Sequence, residues 1–293
     1  MGIIEQIKNK YADYRLNKIN KLENSVKEKE GCVMASALSP EKLMPDKLKI
    51  TLKTLPKQLS IAKNMEFTVK SLKANPKNPG IEADNEFFDE LENYAKSVSI
   101  DKVGYVKVPQ ELIFKDKAIS YENAIILIME MDKKAVDAAP SDETQEMGVI
   151  TYDELGKKTN EIANFLREKR FGSHASHPAG GFVMYPHLAQ YAGLGYRGRH
   201  GMLITPEFGP RQRISVIFTS IQNLPVNDLN EHLWIPDFCA KCGKCIRKCP
   251  GNAIVEKDSR TKIIKDLCHG CTICMRDCSF NNVRYENIRN KYH

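Results

Sequence analysis

The run Cys239-Ala240-Lys241-Cys242-Gly243-Lys244-Cys245-Ile246-Arg247-Lys248-Cys249-Pro250 reads C-x2-C-x2-C-x3-C. Cys268, Cys271, Cys274 and Cys278 repeat that spacing, each 29 positions after its counterpart. Three thiolates with two residues between them can wrap three corners of a [4Fe–4S] cube from one tight loop, and the fourth iron takes its ligand from elsewhere. Two other uses of cysteine compete. C-x2-C pairs hold zinc, but a zinc site takes four ligands in two pairs and has no use for the third cysteine of each loop. Disulfide frameworks belong to exported chains, and the opening Met1-Gly2-Ile3-Ile4-Glu5-Gln6 lacks the apolar stretch of an export signal.

The doubled run is of the kind found in two-cluster bacterial ferredoxins. That resemblance implies crossed ligation, in which the fourth cysteine of each run serves the other cluster. It groups Cys239, Cys242, Cys245 and Cys278 on one cluster, and Cys268, Cys271, Cys274 and Cys249 on the second.

The remaining composition sets bounds. The 293 residues suffice for one large domain or two ordinary ones, and 42% hydrophobic with 28% charged residues is a globular composition. No apolar run reaches the roughly 18–20 residues that span a bilayer, and Gln6 stands where a myristoylation signal has Ser or Thr. A cytoplasmic protein of a reducing, anaerobic cell is expected. The formal charge of +7 falls to about +3 once two cubes of about −2 each are bound. With no zinc-finger or helix-turn-helix signature, no nucleic-acid partner is expected.

Along the chain, Ile4, Ile7, Tyr11, Tyr14, Leu22 and Val26 fall at helical spacing and predict an amphipathic helix over 1–30. Cys32 stands alone, as a structural thiol. Residues 40–84, rich in Pro, Lys and Asn, read as a connecting segment. A helix is expected from Asn85, with Phe87, Phe88, Leu91, Tyr94, Ala95 and Val98 on one face. Strands are expected at 102–108, 124–129 and 213–221, and the continuous apolar run 124–129 suits a central strand covered on both faces. Thr151-Tyr152-Asp153-Glu154 has the form of a capping box, which starts a helix at about 152. Further elements are a helix at 183–192 and a hairpin pairing Ala253–Val255 with Lys262–Ile264. The fold class is α/β (α+β). The expected division is an N-terminal helical extension (1–60), a layered domain (61–225) and a cluster domain (226–293).

Residues 192–213, Ala-Gly-Leu-Gly-Tyr-Arg-Gly-Arg-His-Gly-Met-Leu-Ile-Thr-Pro-Glu-Phe-Gly-Pro-Arg-Gln-Arg, are rich in glycine. Glycine lets backbone approach another group closely. No Gly-Lys-Ser/Thr follows, so this is not a phosphate loop. Gly193-x-Gly195-x-x-Gly198 follows a helix, not the strand that a dinucleotide fingerprint needs. A tight structural loop and a cofactor cradle both fit these residues.

This stretch, followed by a strand and the doubled cysteine run, resembles the corrinoid-dependent reductive dehalogenases and their relatives, the epoxyqueuosine reductases, over roughly residues 100–280. The resemblance implies a nitroreductase-like domain holding base-off cobalamin, fed with electrons through two clusters. The chain agrees in having no D-x-H-x-x-G motif: the aspartate is missing ahead of His177-Pro178-Ala179-Gly180. It further implies a tyrosine proton donor beside a basic residue. Tyr152 fits the donor. Arg211 and Arg213 are both available near Pro206-Glu207-Phe208-Gly209 as the basic partner, with Arg199 inside the glycine-rich stretch; Arg211 and Arg199 are the catalytic candidates, and Gly193, Gly195, Gly198, Gly201 and Arg213 the cofactor-binding ones. A cation near the phenol favours its release of a proton. The carboxylate of epoxyqueuosine reductases has no counterpart in Pro178-Ala179-Gly180-Gly181-Phe182. His174, His177, His187 and His200 crowd the region, either as loop residues satisfied by neighbours or as metal ligands.

Three functions follow. The chain is a corrinoid iron–sulfur reductase taking electrons from a ferredoxin or flavodoxin and acting on a small organic molecule. Alternatively it is an electron-transfer or reductive-activation protein without a substrate site, or a reductase with flavin in the cleft.

Overall fold

The computed structural model describes residues 26–27, 47–114, 117–227, 229–257 and 260–292. In chain order the layered region holds β1 (Val26–Lys27), α1 (Lys47–Lys70), α2 (Asn85–Ser97), β2 (Lys102–Lys107), β3 (Ala118–Ile119), β4 (Asn123–Glu130), α3 (Lys133–Asp137), α4 (Asp142–Glu168), β5 (Ser173–Ser176) and α5 (Tyr185–Tyr191). It closes with β6 (Tyr196–Arg197), β7 (Leu203–Ile204) and β8 (Gln212–Thr219). The cysteine region holds α6 (Ile235–Cys242), α7 (Lys244–Arg247), β9 (Ile254–Lys257), β10 (Arg260–Ile263), α8 (Ile273–Arg276), α9 (Ser279–Asn282) and α10 (Tyr285–Tyr292).

The central sheet runs β2-β4-β8-β5, every neighbour antiparallel. Strand β4 is covered on both faces, as its unbroken apolar run requires. Ala124, Ile126 and Ile128 enter one core with Phe182, Leu188 and Leu203. Ile125, Leu127 and Met129 enter the other with Leu91 of α2 and Leu155, Ile162 and Leu166 of α4. Antiparallel sheets often leave one face wet, which gives alternating strands. Here helices cover both sides, so alternation disappears. Gly104, opposite Ile126, admits Leu194: an added Cβ would lie 2.7 Å from its Cδ1. The glycine-rich stretch is thereby pinned to β2.

Several expectations are corrected. Residues 47–70 form one 24-residue helix with Pro56 inside it, not a connector, and it crosses the expected 60/61 boundary. Its docking side is polar, which hid it from apolar periodicity. Asn160 Nδ2 donates to the Asn64 carbonyl (3.1 Å), and the buried Asp153 carboxylate meets Lys57 (3.2 Å) and Lys157 (2.7 Å). The helix expected at 152 begins ten residues earlier. Ser141 Oγ caps it by accepting from the Thr144 N–H at 3.1 Å. The Thr151 hydroxyl instead donates back to the Met147 carbonyl (2.6 Å), so Tyr152 lies inside α4 and not at its start. Val26–Lys27 pairs with β3 as strand where a helix was expected. The rest of that helix, and Cys32, lie outside the described residues. No helix among the described residues is long and apolar enough to cross a membrane.

Candidate iron–sulfur site and tyrosine–arginine pair

All eight cysteines of the doubled run are free thiols. α6 supplies Cys239 and Cys242, α7 supplies Cys245, and Cys278 immediately precedes α9. These four line one cavity, with Arg199, His200, Phe238, Ser279 and Phe280. Burial pushes the Cys239 thiol up to about 11 and Cys278 up to about 12, and the neighbouring cysteines push the same way. Cys271 and Cys274 are raised likewise, by burial first. The thiols acting on Cys274 are Cys271, Cys268 and Cys249, joined by Cys245 of the first group. Thus the fourth cysteine of each run lies with the other run's first three.

Gathered, buried thiols resist ionisation unless a cationic core compensates them. An iron–sulfur core supplies that charge and is large enough to be touched from four sides. Among the described residues, no three His, Cys, Asp or Glu side chains form a group that would hold a single metal ion. A lone zinc needs thiolate sulfurs at about 2.3 Å from one point. The donor set therefore fits [4Fe–4S] chemistry. The repeat extends to backbone. Gly243 sits in the left-handed region (φ 57°), and Thr272, 29 residues later, takes the same conformation (φ 65°). A β-branched residue there is strained, so the loop geometry around the thiols overrides local preference.

The glycines of 193–209 admit protein. A Cβ on Gly195 would lie 2.1 Å from the Ile204 carbonyl oxygen, and one on Gly209 2.2 Å from that of Phe280. Gly198 faces Ile204 and the His200 ring, Gly193 faces the Leu229 carbonyl at 3.0 Å, and Gly201 lies over Ile263. The stretch is a close-packed knot between the sheet and the cysteine region. On the side where a Cβ would stand, Gly193, Gly195, Gly198 and Gly209 meet protein atoms.

The arginines divide differently from expectation. Arg213 Nη1 donates to Tyr152 Oη (3.0 Å), and its guanidinium lies 4.2 Å from the ring centre. Both project between β8 and α4. Arg211, the expected partner, is turned to the cysteine region. It donates to Asn281 Oδ1 (2.9 Å) and pairs with Glu130 (3.0 Å). Asn281 in turn donates to Asp137 (2.9 Å). Burial alone would raise the Asp137 carboxyl, but hydrogen bonds from Lys133 and Asn281 outweigh it and lower its pKa. Arg276 also reaches the Ala139 carbonyl. Arg199 forks onto Glu256 (2.7 and 3.1 Å). Arg211 and Arg199 thus join regions of the protein and leave the phenol to Arg213. Sequence spacing left Arg211 and Arg213 both available; the partner is Arg213 because 211 precedes β8 while 213 lies in it, facing α4 with Ser215. Ser215 shares a 2.6 Å hydroxyl contact with Thr159.

The four histidines do not converge. His174 Nδ1 meets Ser120 Oγ (3.1 Å) and its ring packs on Phe182 and Phe218. His177 Nδ1 accepts from the Ala179 N–H (3.0 Å). Burial lowers His187 to about 4, helped by Arg197, and lowers His200 to about 4. A larger cavity of about 500 Å³ is lined by β4, α3 and α4 residues including Met129, Asp132, Met147 and Glu154. It takes in neither Tyr152 nor any of the three arginines.

Comparison with known proteins agrees with this chemistry. A 4Fe-4S binding domain matches residues 232–255. The tetrachloroethene reductive dehalogenase of Dehalobacter restrictus is 33% identical over 148 residues, 50% of this chain and 25% of the relative. Its homologues are reductive dehalogenases and epoxyqueuosine reductases. The epoxyqueuosine reductase of Bacillus subtilis is 23% identical over 203 residues, 57% of this chain and 51% of the enzyme. A solved reductive dehalogenase, described with a mechanism for B12-dependent dehalogenation, shares the fold at TM-score 0.61 and 17% identity, over 79% of this chain and 38% of that one. The chain spans about a quarter of the length of the dehalogenases it matches in sequence. The chain thus carries a 4Fe-4S binding domain behind a layered α+β region whose fold is that of the solved dehalogenase.

Proposed function

We propose that the chain is a reductase in which two [4Fe–4S] clusters pass low-potential electrons from a ferredoxin or flavodoxin to a site beside Tyr152, where a small organic molecule is reduced. One cluster would be held by Cys239, Cys242, Cys245 and Cys278, the second by Cys249, Cys268, Cys271 and Cys274. The observation that carries this is the grouping of eight free thiols in two sets, latched to the layered domain through Asn281. Bound clusters store and relay single electrons at low potential. Phe238 and Phe280 limit water at the first thiol group. Arg213 donates to Tyr152 Oη and lies against its ring, which fixes the hydroxyl that would hand a proton to the substrate.

The B12-dependent chemistry named for the solved dehalogenase makes cobalamin the cofactor to test. One observation favours a second reading, an electron carrier without its own substrate: the glycines expected at the corrinoid are filled by protein. One measurement tests the clusters that both readings share, and two separate the readings. Anaerobic protein should carry about eight iron atoms per chain, and about four sinks the two-cluster relay. Titration with cobalamin at roughly tens of micromolar, a range in which a weak specific site fills, should show binding in the reductase and none in the carrier. Tyr152→Phe should then abolish turnover while keeping iron content, whereas the carrier is indifferent to it.

A further inference from the structure

The glycine-rich stretch meets the first thiol group through two adjacent residues. Arg199 lines the cavity beside Cys239. His200, 6% exposed, lines the cavity of Cys239, Cys242, Cys245 and Cys278. Its Nδ1 accepts a hydrogen bond from the Met202 backbone N–H at 3.1 Å. That bond leaves the ring proton on Nε2. Nε2 is buried and has no hydrogen-bond partner in the protein. Gly198 makes room for this ring, since an added Cβ would lie 2.8 Å from Cε1 and 3.1 Å from Nε2. A buried donor is rarely left unmatched, and the side-chain acceptors lining this cavity are the four cysteine sulfurs and the Ser279 hydroxyl, which itself lies against Cys242.

We infer that His200 Nε2–H donates a hydrogen bond to a sulfur of the cluster held by Cys239, Cys242, Cys245 and Cys278, and thereby raises that cluster's reduction potential. The inference rests on the two-cluster reading. Reduction adds negative charge that is shared by the sulfurs, and a donor aimed at one of them stabilises the reduced form more than the oxidised one. His200 belongs to the glycine-rich stretch of the layered region, so the tuning comes from outside the cysteine region.

The test is an anaerobic redox titration followed by EPR on the wild type, His200→Leu and His200→Gln. At a fixed ambient potential, His200→Leu should reduce this cluster about tenfold less, a shift of about 59 mV to lower potential for one electron. His200→Gln, which keeps an N–H donor, should stay nearer the wild type, and the other cluster should not move. A fully iron-loaded His200→Leu with unchanged potentials overturns the inference. Should His200→Leu lose iron, wild-type protein labelled with 15N in its histidine rings decides, by pulsed EPR with one cluster reduced. Ring-nitrogen coupling that vanishes in His200→Gln supports the hydrogen bond. Its absence in the wild type, or its persistence in His200→Gln, overturns it. Iron in the wild type near four rather than eight atoms per chain instead overturns the two-cluster reading.

Discussion

The layered region and the cysteine region put burial to opposite uses. In β4, Ile125, Ile126, Leu127 and Ile128 are fully buried, and each gains from leaving water, by about 1.5–3 kcal/mol. In the cysteine region the buried groups include thiols. Cys278 sits in a small aromatic core with Trp234, Phe280 and Tyr285, and the same desolvation raises its pKa and opposes its charged form. One region is stabilised by what it excludes. The second is stabilised fully only when a cationic core neutralises what it encloses. The seam between them mixes polar and apolar contacts: Arg211 holds Glu130 on one side and Asn281 on the other, while Ile204 packs with Trp234 and Met131 with Met275.

Iron removal is the largest test of that contrast. Anaerobic chelation should leave residues 226–293 open to proteolysis while the layered domain stays protected, read by mass spectrometry of the fragments. Equal resistance in both regions would break the comparison. Next, Leu127→Ala should cost about 2–5 kcal/mol by urea denaturation without changing iron per folded chain, because the cavity opens in the other region. Arg211→Met should cost about 1–3 kcal/mol by leaving Glu130 and Asn281 without their partner. Calorimetry should then resolve two transitions in place of a coupled one. The smallest effect is a gain. Thr272→Gly relieves the left-handed strain seen at φ 65° and should stabilise the holoprotein by about 1 kcal/mol. A loss at that position would mean that the threonine side chain matters more than its backbone.

Where the controlling physics is local, it was legible in the sequence. The cysteine spacing, the alternation-free run of β4, the α2 face and the β9–β10 hairpin are each set within a few residues. α1 was illegible because polar partners such as Asn160 and Asp153 dock it, while Leu52, Leu55, Leu59 and Phe67 are exposed and mark no buried face. The Thr151 capping box matched its pattern, yet Ser141 holds the cap and the Thr151 hydroxyl is satisfied by its own helix.

The sequence by itself marks out an iron–sulfur site: a thiolate loop needs its ligands at fixed short separations, and those separations are written in the chain. Tertiary structure alone decided which arginine meets Tyr152, what the glycines admit and where the His200 proton points. Those depend on groups distant in sequence, brought together by the register of β4 with β8 and by the closing of residues 193–209 onto the cysteine region. Local spacing carries no record of either.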